Sequence, residues 1–388
     1  LAQVKQKERE AELAASQVER KRVELQSREN KFAREVALPR IRQLIAEYRP
    51  VEAFFLANVI QQTLTHDPEY QQLREEMTVT VSFQVKPVGT TVSYRDARNP
   101  EGQWVPAGET PLIDIELPRG DLRFRYSCDG YVTHEFQRKF PEFLMYDGGA
   151  TMSLRKLPQT DDGMVQISNV TAASWNRLPV DLSPFRIDRY EVSNAEYQEF
   201  VHAGGYADAK YWSGIEFERD GETILWEEAI TEFIDSTGKP GPAFWKDGAF
   251  PDGEDGYPVV GISWFEAVAY AAYRKKSLPT VHHWRWAANT DQPGLMSALT
   301  NFSQEGRSPR GTWDGIGRFE VYDLAGNVKE WCLNERETEN RCLCGGAWNE
   351  PEYKFSFTDS ASPWSREEAF GFRCVQYGKN APEDLALA

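Results

Sequence analysis

An α+β protein with a helical front is predicted, and three observations predict it. Residues 1–38 contain no glycine or proline and are packed with Glu, Lys, Arg, Gln and Ala, all strong helix formers. From Met77 to Tyr126 apolar residues alternate with polar ones in short runs broken by Gly, Pro and Asp, the pattern of a small β domain. Residues 163–378 are rich in Trp, Gly and Asn, with two clear helical segments. Irregular chain around two helices and many aromatic rings reads as an α+β core.

Length and charge set the outer bounds. At 388 residues the chain is too long for one ordinary domain. Its net charge of −16 is unevenly spread: residues 1–80 hold 13 basic and 13 acidic side chains, and the rest 31 against 47. An acidic body repels phosphate, which argues against nucleic acid as a partner. Five cysteines are too few for a disulfide framework, and the odd count leaves at least one unpaired within the chain. Apolar runs such as Phe54–Ala57 are far short of a membrane span. Leu1 opens directly into charged helix with no leader, so a longer parent protein is expected.

The head divides into two parts. In residues 1–38, Val4, Ala11, Val18, Leu25 and Phe32 recur every seven residues, giving one thin apolar seam on a helix roughly 55 Å long at ~1.5 Å per residue. A stalk or coiled-coil helix fits that seam, and so does a solvated spacer. Homo-oligomerisation, or pairing with a partner helix, is expected to run through residues 1–38, with Pro39 closing the helix. Residues 39–76 carry apolar groups at helical spacing on either side of Pro50, and His66-Asp67-Pro68 forms a stop. This helical hairpin cannot bury its own face and is expected to pack on a neighbour.

Residues 77–157 form the β domain. The runs Met77–Val85, Thr90–Tyr94, Leu112–Leu117 and Leu122–Tyr126 are its expected strands. With Lys86-Pro87-Val88-Gly89-Thr90, the Gly108–Pro111 turn and Asp129-Gly130-Tyr131, this stretch resembles the PEGA domain of bacterial surface and signalling proteins. The resemblance implies a small all-β sandwich.

In residues 163–378, Ser193 with Glu196 and Ser263 with Glu266 have capping-box spacing ahead of helical runs. The segments Ile187–Asn194, Tyr257–Trp264, Ser277–Thr280, Tyr322–Trp331, Gly345–Trp348 and Gly371–Cys374 resemble, in order, the motifs of the formylglycine-generating (sulfatase-modifying factor) family. The resemblance implies a variant of the C-type-lectin fold. It extends to a multidomain bacterial arrangement in which a serine/threonine protein kinase precedes a helical linker, a PEGA-like domain and this domain. No kinase motif stands in this chain, so a kinase is expected only ahead of Leu1. Residues 379–388 read as a tail.

The family's oxidase needs two cysteines after its Gly-Gly-Ser motif, where soft thiolates hold Cu(I). Here those positions fall on Glu350 and Phe355, and the motif serine is Ala347. Cys342 and Cys344 precede the glycines, are two residues apart on one strand face, and cannot fill that site. The family's iron-dependent sulfoxide synthases use histidines that this chain, with His66, His134, His202, His282 and His283, does not space as a metal pair. Copper and iron are therefore not expected, and the reading leans away from an enzyme; a metal-dependent oxidoreductase with rearranged thiols is the alternative. Calcium is the better candidate. By resemblance its ligands are Asp323 and Glu330 through carboxylates, and Gly326 and Val328 through carbonyls, a hard oxygen set. A second family site would start near Asn301-Phe302.

The expected function is a non-catalytic ligand-binding or scaffolding region of a bacterial signalling protein, with an oligomeric structural role as another reading. The expected groove is built from Trp348, Asn349, Glu350, Tyr353 and Trp364, near Arg373, since aromatics with a few polar groups suit a small molecule, peptide or protein ligand. Both the outer face of a membrane-anchored protein and the cytoplasm are consistent locations.

Overall fold

The computed structural model describes residues 2–99, 101–131, 133–140, 152–153, 162–167, 182–288, 300–313, 315, 319–336 and 339–378, with only the backbone for residues 2–14 and 152–153. The expected tail and part of the β domain lie outside these residues. The chain divides into two compact units, residues 1–133 with 138–155, and residues 134–137 with 156–388. Among the described residues no helix is long and apolar enough to cross a membrane.

In the first unit, helix α1 (Ala2–Phe32) runs through a π-helical turn, Ala33–Ala37, into α2 (Leu38–Ala46). Pro39 thus does not close the helix, as its sequence position suggests. It sits in the first turn of α2, where a missing N–H costs little, and the wide turn before it absorbs the change of register. Val18, Leu25 and Phe32 stay exposed along the seam of α1. Helices α3 (Pro50–Leu64) and α4 (Pro68–Met77) follow. The stop at Asp67 is also a start, because its carboxylate accepts the Glu69 and Tyr70 N–H groups of α4 at 3.0 and 3.2 Å.

Strands β1 (Thr78–Phe83), β2 (Val85–Lys86), β3 (Thr91–Asp96), β4 (Val105–Glu109), β5 (Leu112–Pro118), β6 (Gly120–Ser127), β7 (His134–Phe140) and β8 (Met152–Ser153) come next. β1 and β5 pair antiparallel, β2 and β8 pair parallel, and a four-stranded sheet has the order β4-β3-β6-β7. The helical hairpin does pack on a neighbour, and the neighbour is this β region. Phe55 of α3 stacks on Tyr94 with ring centroids 6.3 Å apart, and Arg74 of α4 donates to Glu116 of β5 at 2.7 Å.

The second unit begins with β9 (Met164–Ile167) and β10 (Phe185–Asp188), followed by α5 (Asn194–His202), β11 (Phe217–Arg219), β12 (Glu222–Ile224), α6 (Trp226–Ala229), α7 (Trp264–Tyr273) and α8 (Val281–Ala288). β13 (Lys329–Glu335), β14 (Arg341–Cys344), β15 (Thr358–Ala361), β16 (Phe370–Gly371) and β17 (Val375–Tyr377) complete it. Its sheets have the orders β17-β10-β9 and β15-β14-β13-β16. Both capping boxes form: Ser193 and Ser263 each accept from the N–H three residues on, while Glu196 and Glu266 reach back to the cap N–H groups. The β13–β14 pair separates two cores by its period of two. Trp331 and Leu343 face an aromatic core with Phe265, Tyr270 and Phe372. Cys332, Cys342 and Cys344 face a second core with Trp284, Phe302 and Phe355.

Candidate functional site

Two ion-pair groups meet at the start of β13. The first is a buried cluster beneath the tight turns before that strand, where Asp323 and Asn327 both take positive φ, 55° and 57°. Gly326 between them is required, because a Cβ there would lie 2.4 Å from the Asn301 carbonyl. Glu330, two residues into β13, meets Arg373 with both partners fully buried. Arg373 Nη2 donates to Glu330 Oε1 at 2.6 Å, its Nε donates to Oε2 at 2.7 Å, and Trp284 Nε1 donates to the same Oε2 at 2.8 Å. The remaining guanidinium donors serve the carbonyls of Tyr322, Asp188 and Arg189. Every polar face of the pair is satisfied, which a buried charge requires.

Beside this pair the cluster holds more acid than base. Glu191 is fully buried, accepting from Asn327 Nδ2 at 2.7 Å and from the Val328 N–H at 3.3 Å. Burial, then the charges of Asp323 and Glu330, push its carboxyl well above the usual range. Asp323 accepts the Gly311 N–H at 2.5 Å, and burial raises it to about 6. Of the expected calcium ligands, Asp323, Gly326 and Val328 lie on or just after the turns, with the Asp323 carboxylate accepting the Gly311 N–H. Glu330 does not suit a cation, because its oxygens are already committed to a guanidinium and an indole N–H. Asn301 Nδ2 donates to Asn327 Oδ1 at 3.1 Å, which ties the start of the second expected ion site to the first.

The second group occupies the place where the resemblance puts the first redox cysteine. Glu350 accepts the Ala347 N–H at 3.2 Å through Oε2 and pairs with Lys329 Nζ at 2.7 Å through Oε1. Lys329 also meets Asp359 at 2.7 Å, and Lys354 pairs with Asp359 at 3.2 Å. Burial works against the Lys329 ammonium, but Asp359 and Glu350 outweigh it and hold its pKa above the ordinary value. For Asp359 burial pushes upward, and the two lysines win and hold it below its usual range. The second cysteine position, Phe355, is buried in the Trp284 core, ring centroids 6.2 Å apart. Of the two expected thiol positions, one holds half of an ion pair and the other a core aromatic.

The expected ligand groove does not assemble as one surface. Arg373 is 0% exposed and spends its donors on Glu330 and backbone carbonyls, so it cannot line a groove. Trp364 packs in the aromatic core against Phe265 at 4.7 Å, donates to the Glu218 carbonyl, and carries Arg219 on its face. Trp348 is half-buried, Asn349 exposed, and Tyr353 exposed with its ring edge on Phe357 at 5.9 Å. The residues missed in sequence are Lys329, Lys354 and Asp359. Their signal was faint: a lysine beside a glutamate in β13, and charges after a Trp-Asn-Glu turn.

The thiols and imidazoles lie elsewhere. Cys332, Cys342, Cys344 and Cys374 are buried and outside any disulfide, and Cys128 is partly exposed. Burial pushes the Cys342 thiol up to about 11. His283 is buried with Nδ1 2.7 Å from Thr280 Oγ1, while His282, beside it, is partly exposed. Among the described residues no cluster of three His, Cys, Asp or Glu side chains has metal-binding geometry.

The profile of the sulfatase-modifying factor enzyme 1-like domain matches residues 137–377. The mouse protein named inactive C-alpha-formylglycine-generating enzyme 2 is 28% identical over 244 residues, covering 53% of this chain and 79% of that protein. The formylglycine-generating enzyme of Thermomonospora curvata is 33% identical over 190 residues, 40% of this chain and 61% of the enzyme. Serine/threonine-protein kinase pkn1 of Chlamydia pneumoniae is 24% identical over 232 residues, 52% of this chain and 35% of the kinase.

Proposed function

The chain belongs to the sulfatase-modifying factor enzyme 1-like family, and from that premise we propose that it is a non-catalytic member, a ligand-binding or scaffolding region of a bacterial signalling protein. One observation carries this reading: Glu350, at the place of the first redox thiol, is held by Lys329 at 2.7 Å and the Ala347 N–H at 3.2 Å. A carboxylate paired to an ammonium is a hard, occupied group with no affinity for Cu(I), which seeks soft thiolates. The similarity to a mammalian relative named inactive supports it. The test is Cu(I) titration, with an assay for aldehyde on a Cys-x-Pro-x-Arg peptide. Neither tight stoichiometric copper at residues 345–359 nor aldehyde is expected; both together would overturn the reading in favour of an oxidoreductase.

The signalling part of the proposal rests on the similarity to a chlamydial protein kinase and on the helical and PEGA-like β region ahead of this domain. Reading the complete gene upstream of Leu1 tests it: a kinase domain supports the link, and an unrelated domain removes it. Calcium at the Asp323–Val328 turns is a further part of the proposal, supported by the buried acid excess there. Melting with calcium against chelator measures it, and an unchanged melting temperature counts against it. The exposed heptad positions Val18, Leu25 and Phe32 favour a helix partner for α1. Sedimentation of the chain with and without residues 1–38 decides that point, since an unchanged monomer excludes assembly through the helix.

A further inference from the structure

A cleft of about 480 Å³ opens where the N-terminal turn of α8, the end of β13 and the segment after Phe355 converge. Arg285, Arg336 and His282 line it, with Ser356, Thr358, Asn334, Phe357 and Cys342. None of these residues belongs to the calcium turns or to the Glu350 network. The volume is within the ordinary size of small-ligand sites.

The charge arrangement sets this cleft apart. Between Arg186 and Arg373, nine of the described arginines have a carboxylate within 4.0 Å. Arg285 and Arg336 have none among the described residues, and both line this cleft. Each is held by one backbone carbonyl, Arg285 by Ser356 at 3.3 Å and Arg336 by Thr358. That leaves each guanidinium most of its five N–H donors. The one acid in the lining, Glu335, has its own partner in Arg341 at 3.8 Å. In a chain of net charge −16, two guanidiniums with no carboxylate partner among the described residues line one cleft, and neither solubility nor fold explains the pair well. Nearby hydroxyls at Ser356 and Thr358 add neutral donors, and Phe357, 56% exposed, adds an apolar wall.

We propose that this cleft binds a phosphate monoester carried on a small organic group, with Arg285 and Arg336 as the anion clamp and Phe357 against the organic part. Two uncompensated guanidiniums match a dianion, whereas a single carboxylate leaves one of them unmatched, and guanidinium–phosphate contacts are short, strong and directional. The inference deepens the ligand-binding reading above by naming a ligand class, and it rests on that reading. It can fail while the absence of copper chemistry stands, because the two tests measure different events at different residues.

The experiment is calorimetric titration of the full chain with phosphoserine, inorganic phosphate and acetate at constant ionic strength, repeated on R285Q, R336Q, the double variant and R274Q. Arg274 pairs with Glu199 outside the cleft and serves as a charge-matched control. Phosphoserine is expected to bind more tightly than phosphate, with acetate giving no saturable heat. Each single cleft variant should weaken phosphoserine at least tenfold, the double variant should abolish binding, and R274Q should bind as the parent does. Circular dichroism and melting curves confirm that each variant is folded, and R285K supplies a charge-retaining version if R285Q is not. No saturable phosphoserine binding by the parent, equal binding by the folded double variant, or acetate binding as well as phosphoserine would each overturn the proposal.

Discussion

Glu330 and Glu350 stand at opposite ends of one structural contrast. Glu330 is fully buried and closed by a two-point contact with Arg373 and an indole N–H. Glu350 is partly exposed, paired to Lys329 in a group of four charges that also meets solvent. The first belongs to the frame that holds the turns before β13 against Trp284. The second stands where the resemblance puts the first redox cysteine. One charge is locked into the packing by a buried two-point contact, and the other is held only by partly exposed ion pairs that solvent can screen.

Breaking the buried side should cost most. Arg373→Leu leaves Glu330 buried beside Glu191 and Asp323 with no guanidinium, and a loss of about 3–5 kcal/mol is expected, read as a large drop in denaturation midpoint. Arg373→Lys should recover little, since one ammonium cannot replace the paired guanidinium donors. Trp284→Phe keeps most of the ring but removes the N–H to Glu330, so about 1.5–3 kcal/mol is expected in the same measurement. If Arg373→Leu costs no more than a surface change, the frame role assigned to this pair is wrong.

Midway between the two lie the helix caps that orient the frame. Ser263→Ala removes a formed capping box on α7 and should cost about 1 kcal/mol. On the exposed side, Glu350→Gln removes one partner of Lys329 while Asp359 remains, and a cost of roughly 0–1 kcal/mol is expected. A loss as large as that of Arg373→Leu would erase the contrast.

The smallest effect is in pH. Asp359 is held below its ordinary 3.8, so its ion pairs contribute stability that is present above that value and lost as pH falls through the lower, folded value. The parent should lose this contribution only below about pH 4. Asp359→Asn should flatten that part of the acid-denaturation curve while changing little at neutral pH.

Much of the scaffold was legible in the sequence. Both capping boxes, the alternating strands of the β domain and the helical front follow from short-range patterns, and the structure forms them. Pro39 misled because a proline is judged by its local penalty, while a preceding π-helical turn removes the penalty. Trp364 and Arg373 misled because an aromatic or cationic residue in a motif looks the same whether it faces solvent or core. The expectation that Glu350 and Phe355 stand at the family's two thiol positions rests on one motif and the resemblance it carries. The partners of Glu350 were not legible, since Lys329 is 21 positions away by number and reaches it only through the β13–β14–β15 sheet.

The sequence alone therefore determined the class of the protein, because the family's motifs depend on residue identity at positions close together in the chain. Only the tertiary structure decided which charges pair and which stay free. Arg373 and Arg336 are both arginines at the edges of sheet strands, yet one is sealed against Glu330 and the other faces an open cleft. Charge pairing is decided by burial and by contacts between residues far apart in the chain, and those quantities exist only once the chain has folded.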